Sequence, residues 1–204
     1  MFLPPFLFVW HLVLLSKRNY RAFVLADQSL TAFGLRSSGL SWMELRFYQL
    51  KISTLEQALP KLLMLTIKRD KRAIVRFGGE PRLAVFDDLL WTFDDRVFLP
   101  HGKLGQETDS MQPVILTTEA KIAPNKPDFI FWVDGFNPSV TPLDPFSTEQ
   151  AERVSIIFSA QDEEQLSLAR SFFRQALDHT EYKPSYWQEN SNGVWVDVPT
   201  TTAQ

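Results

Sequence analysis

The chain has 204 residues, 45% hydrophobic and 22% charged, which is long enough for one globular domain and short for two. It contains no cysteine, which excludes disulfides, iron–sulfur clusters and thiolate metal sites and fits a reducing compartment such as a bacterial cytoplasm. The formal net charge is −3. Residues 1–42 carry four basic side chains against one acidic, or +3, so residues 43–204 carry −6. A domain of that charge is a poor match to nucleic-acid phosphates, and any contact with DNA is expected to be indirect.

Residues 1–15 (MFLPPFLFVWHLVLL) are almost continuously apolar, so a targeting or membrane segment has to be considered. The run is shorter than the roughly 20 residues of a membrane-spanning helix, and its positive charges follow it, whereas a signal peptide carries them in front. We interpret residues 1–42 as a misassigned start or an unstructured extension, with Met43 as the first native residue. A surface anchor and a signal peptide are the alternatives, and no membrane contact is expected for residues 43–204.

The first half of the domain predicts two strand–helix units. Residues 44–50 (ELRFYQL) alternate as a strand does, and Ser53 with Glu56 forms a capping-box pair that starts a helix. Residues 73–77 (AIVRF) predict a second strand, and Gly78-Gly79 predicts a turn at positive φ into a second helix that ends near Trp91. The apolar positions at helical spacing are Leu55, Ala58, Leu59, Leu62 and Leu63 in the first helix and Leu83, Phe86, Leu89 and Leu90 in the second.

The second half continues the alternation of strands and helices. Strands are predicted at residues 113–117, 128–133 and 154–158, a helix at 162–177, and a hairpin of 185–188 with 194–198 around Asn192-Gly193. This pattern predicts a single α/β domain over residues 43–198, with a largely parallel sheet flanked by helices and a frayed tail at 199–204.

No catalytic or cofactor motif is present in the sequence. The turn at Gly78-Gly79 matches neither the dinucleotide nor the P-loop pattern, and His101 and His179 lack metal-ligand spacing. The acidic pairs Asp87-Asp88, Asp94-Asp95 and Glu163-Glu164 are typical of solvated surface. We therefore expect no active site, metal or cofactor, and we keep a nucleotide-handling α/β enzyme with an unrecognised site as the alternative.

Residues 83–101 (LAVFDDLLWTFDDRVFLPH) resemble the signature stretch of the chi subunit of bacterial DNA polymerase III holoenzyme. The matching positions are Asp87, Leu90, Trp91, Phe98, Leu99, Pro100 and His101. The start at residues 43–50 and the segments at 128–135, 162–170 and 186–188 extend the resemblance over most of residues 43–188.

The resemblance implies a Rossmann-like fold without a nucleotide site and a role as an adaptor in DNA replication. In that family, chi pairs with the psi subunit, which links it to the clamp loader, and it binds the acidic C-terminal tail of single-stranded-DNA-binding protein. Polymerase activity would then belong to the holoenzyme and not to this chain.

The resemblance also implies two sets of site residues. Trp91 and Phe98 match the family positions that bind psi, and Arg170, Phe173 and Arg174 lie on the helix that binds the tail. The chain departs from the family at Leu166, where a lysine is expected. The plain structural alternative is that the rings of Trp91, Phe98 and Phe173 are core and that the arginines are merely solvated.

Overall fold

The computed structural model describes residues 43–120, 123–135 and 151–199. The elements in chain order are β1 (Met43–Leu50), α1 (Leu55–Ile67), β2 (Ala73–Phe77), α2 (Glu80–Thr92), β3 (Gly102–Lys103), a 3-10 turn (Asp109–Met111), β4 (Val114–Thr117), β5 (Phe129–Val133), β6 (Arg153–Ser159), α3 (Glu163–Leu177), β7 (Tyr182–Glu189) and β8 (Trp195–Val198). The predictions for residues 1–42 and for the end of the tail fall outside these residues. None of the helices described is both long and apolar enough to cross a bilayer.

One sheet runs through the described part of the chain, in the order β3-β4-β2-β5-β6-β1-β7-β8. Every neighbouring pair is parallel except β7 with β8, which form the predicted hairpin. All residues of β2, β4 and β5 are buried, as expected for central strands covered on both faces. The predicted largely parallel sheet flanked by helices is confirmed.

The helices divide between the two faces of the sheet. The apolar faces of α1 and α2, including Leu59 and Phe86, pack in one core cluster with β2 and β5. The second cluster lies on the opposite face, where Phe173 of α3 packs among residues of β1 and β7. The helices also lie along different parts of the sheet: α2 borders β2 and β4, and α3 borders β1, β6 and β7.

The start of α1 differs from the prediction by one residue. The helix is capped by Thr54, whose backbone N–H donates to Gln57 Oε1 at 3.2 Å. Ser53 lies outside the helix, where its N–H donates to Glu189, and Glu56 accepts from Arg82. The predicted Ser53–Glu56 box is wrong because a distant carboxylate binds Ser53 and leaves Thr54 as the cap.

The Gly78-Gly79 turn needs glycine for a reason other than the one predicted. Neither residue is among those with positive φ, and Gly79 is extended at φ −169°. A Cβ atom at Gly78, however, would overlap the carbonyl oxygen of Asp134 and lie 3.3 Å from its carbonyl carbon. The positive-φ interpretation is therefore wrong, and glycine at position 78 permits close contact between the end of β5 and the β2–α2 turn.

Candidate functional site

Trp91 and Phe98 form an exposed aromatic pair beside the end of α2. Trp91 is 56% exposed and Phe98 64% exposed, and their ring centroids are 5.6 Å apart. Val97, next to Phe98, is also exposed. Because these rings are not needed to fill the core, they are available to a partner, and large rings on a fixed support are typical anchors of protein interfaces.

Buried neighbours hold the aromatic pair in place. Leu99 is fully buried and His101 is 5% exposed, so the segment after α2 is fixed to the core immediately after Phe98, whose ring stays on the surface. The His101 ring lies 4.7 Å from the Trp91 ring, centroid to centroid, and Nδ1 contacts the Leu99 carbonyl oxygen at 2.8 Å. The buried His101 ring therefore packs against the indole ring of Trp91 and helps to hold it in position.

Asp87 connects α2 to the strand that follows the aromatic pair. Its carboxylate lies 2.9 Å from Lys103 Nζ and 3.6 Å from His101 Nε2. Asp87 and Trp91 are one helical turn apart and share a face of α2. Asp87, one of the two adjacent acidic residues Asp87-Asp88, therefore forms an ion pair with Lys103 of β3 and is not simply solvated as predicted.

Arg170 and Arg174, the arginine pair, are both exposed on α3. The helix is capped by Asp162, whose Oδ1 accepts from the Gln165 N–H at 3.0 Å, and Glu163 and Glu164 occupy its first turn. Because the two arginines are four residues apart, they project from one side of the helix. Two neighbouring guanidinium groups suit carboxylate ligands, to which arginine donates two parallel hydrogen bonds.

Phe173 is a core residue, which is at odds with the contact role expected from the resemblance. Its side chain is 1% exposed, and its ring lies 5.1 Å from that of Phe47 and 5.4 Å from that of Tyr186, centroid to centroid. Ala169, Phe173 and Ala176 form the buried stripe of α3. The ring therefore anchors the helix that carries the arginine pair and does not present a surface to a ligand.

A small polar network on β1 and β7 lies near Arg170. The Tyr186 hydroxyl donates to Gln49 Oε1 at 3.3 Å, and that oxygen also accepts from Gln188 Nε2 at 2.7 Å. Burial raises the pKa of the Tyr186 hydroxyl, and the positive charge of the nearby Arg170 guanidinium opposes this rise.

Leu166, where the family resemblance would have a lysine, is half-buried. Its side chain packs against the core cluster on the α3 face. An apolar residue fits this position because it adds to the core, and the first basic side chain of α3 is one turn later, at Arg170.

Sequence reasoning missed Glu189, which binds the turn between β1 and α1. Its Oε2 accepts from the backbone N–H groups of Lys51, Ile52 and Ser53, each at 2.9 Å, and the side chain is 4% exposed. The turn lines a cavity of about 240 Å³ at the carboxyl ends of β1 and β6. No local signal could reveal this contact, because its partners are more than a hundred residues apart in sequence.

Stability is expected to depend on the ionisation of Glu189. Burial works to raise the pKa of its carboxyl, but hydrogen bonds from Ser53 and the 51–53 backbone hold the pKa below the ordinary 4.5. A lowered pKa in the folded state gives stability that is present above the unfolded-state pKa and is lost as the pH falls through the folded-state pKa.

We therefore expect Glu189→Gln to lower the free energy of unfolding by about 2 kcal/mol near pH 7, and the difference from wild type to shrink as the pH falls below the ordinary carboxyl pKa of 4.5. Denaturant unfolding of both proteins across this range measures it. A difference that stays constant with pH would contradict the role of the charge.

No candidate metal site is found in the segments that the structure describes. No three histidine or carboxylate side chains group there as a metal site requires. Asp94 accepts from the Arg96 N–H at 2.9 Å, so this member of a second acidic pair caps a turn.

Comparison with known protein families identifies the family of this chain. No curated protein matches the chain. The model of the family described as DNA polymerase III chi subunit, HolC, matches residues 43–182, which include β1 to α3 and both pairs of site residues. That match covers well over half of the 204 residues, and with it the resemblance seen in the signature stretch is confirmed: the chain belongs to the DNA polymerase III chi subunit family.

Proposed function

We propose that this protein is a replisome adaptor in the bacterial cytoplasm, which joins the psi subunit of the clamp loader to single-stranded-DNA-binding protein. The family supports membership in the DNA polymerase III complex. The observation that carries the proposal is the exposure of Trp91 and Phe98, which are more than half exposed although they are large and apolar. Such a patch on a chain with a complete core is typical of a protein interface.

In this proposal the aromatic pair binds psi. The Trp91 ring lies at the end of α2, and the Phe98 ring lies on a segment held by the buried Leu99 and His101. The two side chains therefore lose little conformational entropy when a partner binds. Preorganised rings of this size give the largest losses of affinity when they are truncated.

Trp91→Ala is expected to weaken psi binding by about 30-fold, because a central tryptophan contributes hot-spot energy. Titration of the purified psi partner from the same organism measures the affinity. Leu65→Ala, which truncates a side chain 51% exposed on α1, is the matched control and should bind as wild type does. Trp91→Ala that binds psi normally and instead unfolds early would make Trp91 a structural residue.

We further propose that the arginine pair binds the acidic C-terminal tail of single-stranded-DNA-binding protein. Arg170 and Arg174 supply the positive charge, and Leu177, 40% exposed and three residues beyond Arg174, supplies apolar surface in place of the buried Phe173. The tail therefore contacts the outer side of α3, whereas Phe173 holds the helix against the sheet.

Arg170→Glu is expected to lower the affinity for a tail peptide about tenfold or more at low salt, because it replaces an attraction by a repulsion. The measurement is a titration with a synthetic acidic peptide that ends in phenylalanine, repeated at rising salt. Lys61→Glu makes the same charge change on exposed α1 and should leave the affinity unchanged. Equal affinities for wild type and Arg170→Glu at low salt would place the tail site elsewhere.

A further inference from the structure

The turn between β1 and α1 already binds an anion, namely a carboxylate of the chain itself. Three consecutive backbone N–H groups, at residues 51–53, donate to a single oxygen of Glu189, each at 2.9 Å. The hydrogen bonds lower the pKa of this buried carboxyl, so the turn favours the charged form. Consecutive N–H groups that converge on one point form a binding site for oxyanions such as phosphate.

The 51–53 turn lies at the carboxyl end of β1, and ligands of open parallel sheets bind at this edge of the sheet. The neighbouring parallel strands β1 and β6 are followed by helices on opposite faces of the sheet, α1 on one and α3 on the other. The turn also lines a cavity of about 240 Å³ beside the ends of these two strands.

The charges around the cavity balance one another, so the charge of Glu189 has the largest effect on whether a second anion binds at the turn. Among the described residues, the charged side chains that line it are Lys51 and Arg82, which are basic, and Glu56 and Asp134, which are acidic. Arg82 donates to both of these carboxylates. The lining is therefore neutral as a whole, and the Glu189 carboxylate bound to the 51–53 turn adds one negative charge that repels a second anion at the turn.

We propose that the 51–53 turn is an oxyanion site that the chain fills with Glu189, and that inorganic phosphate binds there once this carboxylate is removed. In the wild-type protein Glu189 then acts as an internal ligand, which occupies the three N–H groups and fastens the β7–β8 hairpin to the start of α1. This inference stands apart from partner binding, since none of its residues belongs to the aromatic pair or the arginine pair.

The test is a titration of wild type and Glu189→Ala with inorganic phosphate, at constant ionic strength maintained with chloride. The backbone amide signals of Lys51, Ile52 and Ser53 report binding at the turn. We expect a saturable shift of these signals in Glu189→Ala, with an affinity about tenfold or more above that of wild type. The melting temperature of Glu189→Ala should rise with phosphate and not with chloride.

Glu181→Ala is the matched control, because it removes the same charge from an exposed side chain just before β7. It should show no phosphate shift at residues 51–53. The proposal is overturned if folded Glu189→Ala behaves like this control, or if wild type binds phosphate at the turn equally well. If Glu189→Ala does not fold in chloride, phosphate should restore folding in a concentration-dependent way, and failure to restore it also overturns the proposal.

Discussion

Phe173→Ala is expected to lower the free energy of unfolding by about 4 kcal/mol, the typical cost of truncating a fully buried phenylalanine. The ring is 1% exposed and lies 5.1 Å from the Phe47 ring and 5.4 Å from the Tyr186 ring. Its removal leaves a cavity between α3 and the sheet that these neighbours cannot fill without leaving their own contacts. Denaturant unfolding with a two-state fit measures the loss.

Leu177→Ala is the matched control on the same helix. Leu177 is 40% exposed, so its truncation should cost well under half as much. The opposite pattern, in which Phe173→Ala is as stable as wild type and loses only tail binding, would mean that the ring serves as a docking residue and that its burial in the second core cluster contributes little.

Gly78→Ala is expected to lower the free energy of unfolding by about 3 kcal/mol, because the added methyl group forces apart two segments of backbone. The new Cβ would overlap the carbonyl oxygen of Asp134, and its next neighbours are backbone atoms of Asp134 and Gly135 at 3.3 Å. Neither neighbour is a flexible side chain, so relief requires the end of β5 to move. Thermal or denaturant unfolding measures the effect.

Gly79→Ala provides the control one residue away. Gly79 is extended at φ −169°, which any residue adopts, and the nearest atom to an added Cβ is Pro81 Cδ at 3.7 Å. Gly79 is the N-cap of α2, and alanine caps less well than glycine, so this variant should lose about 1 kcal/mol, well below the loss at Gly78. Equal losses at the two positions would contradict the close-approach explanation.

The sheet and its helices could be predicted because their signals are local. The buried central strands at Ala73–Phe77 and Phe129–Val133 are short apolar runs, and α3 has a capping aspartate and acidic residues in its first turn. The cap of α1 could not be predicted in the same way, because Ser53 and Thr54 both fit the pattern. The choice depends on the hydrogen bond from Ser53 to Glu189, 136 residues further along the chain.

The candidate site shows a similar limit. The sequence identified Trp91 and Phe98 but left open whether their rings are core or surface, since exposure depends on how the segment around Leu99 and His101 folds back. Phe173 could have been recognised as core, because it shares helical spacing with Ala169 and Ala176, but the family resemblance suggested a contact role instead. Helical periodicity was the better guide at this position.

The central claim is that two separate surfaces bind two partners, and it is tested most directly by a crossed binding measurement. The variants are Trp91→Ala with Phe98→Ala, and Arg170→Glu with Arg174→Glu, each titrated with psi and with the tail peptide. Because α2 and α3 border different halves of the sheet, each double variant should lose its own partner and keep the other with wild-type affinity. If both double variants lose both partners, or neither loses either, the two-surface account is contradicted.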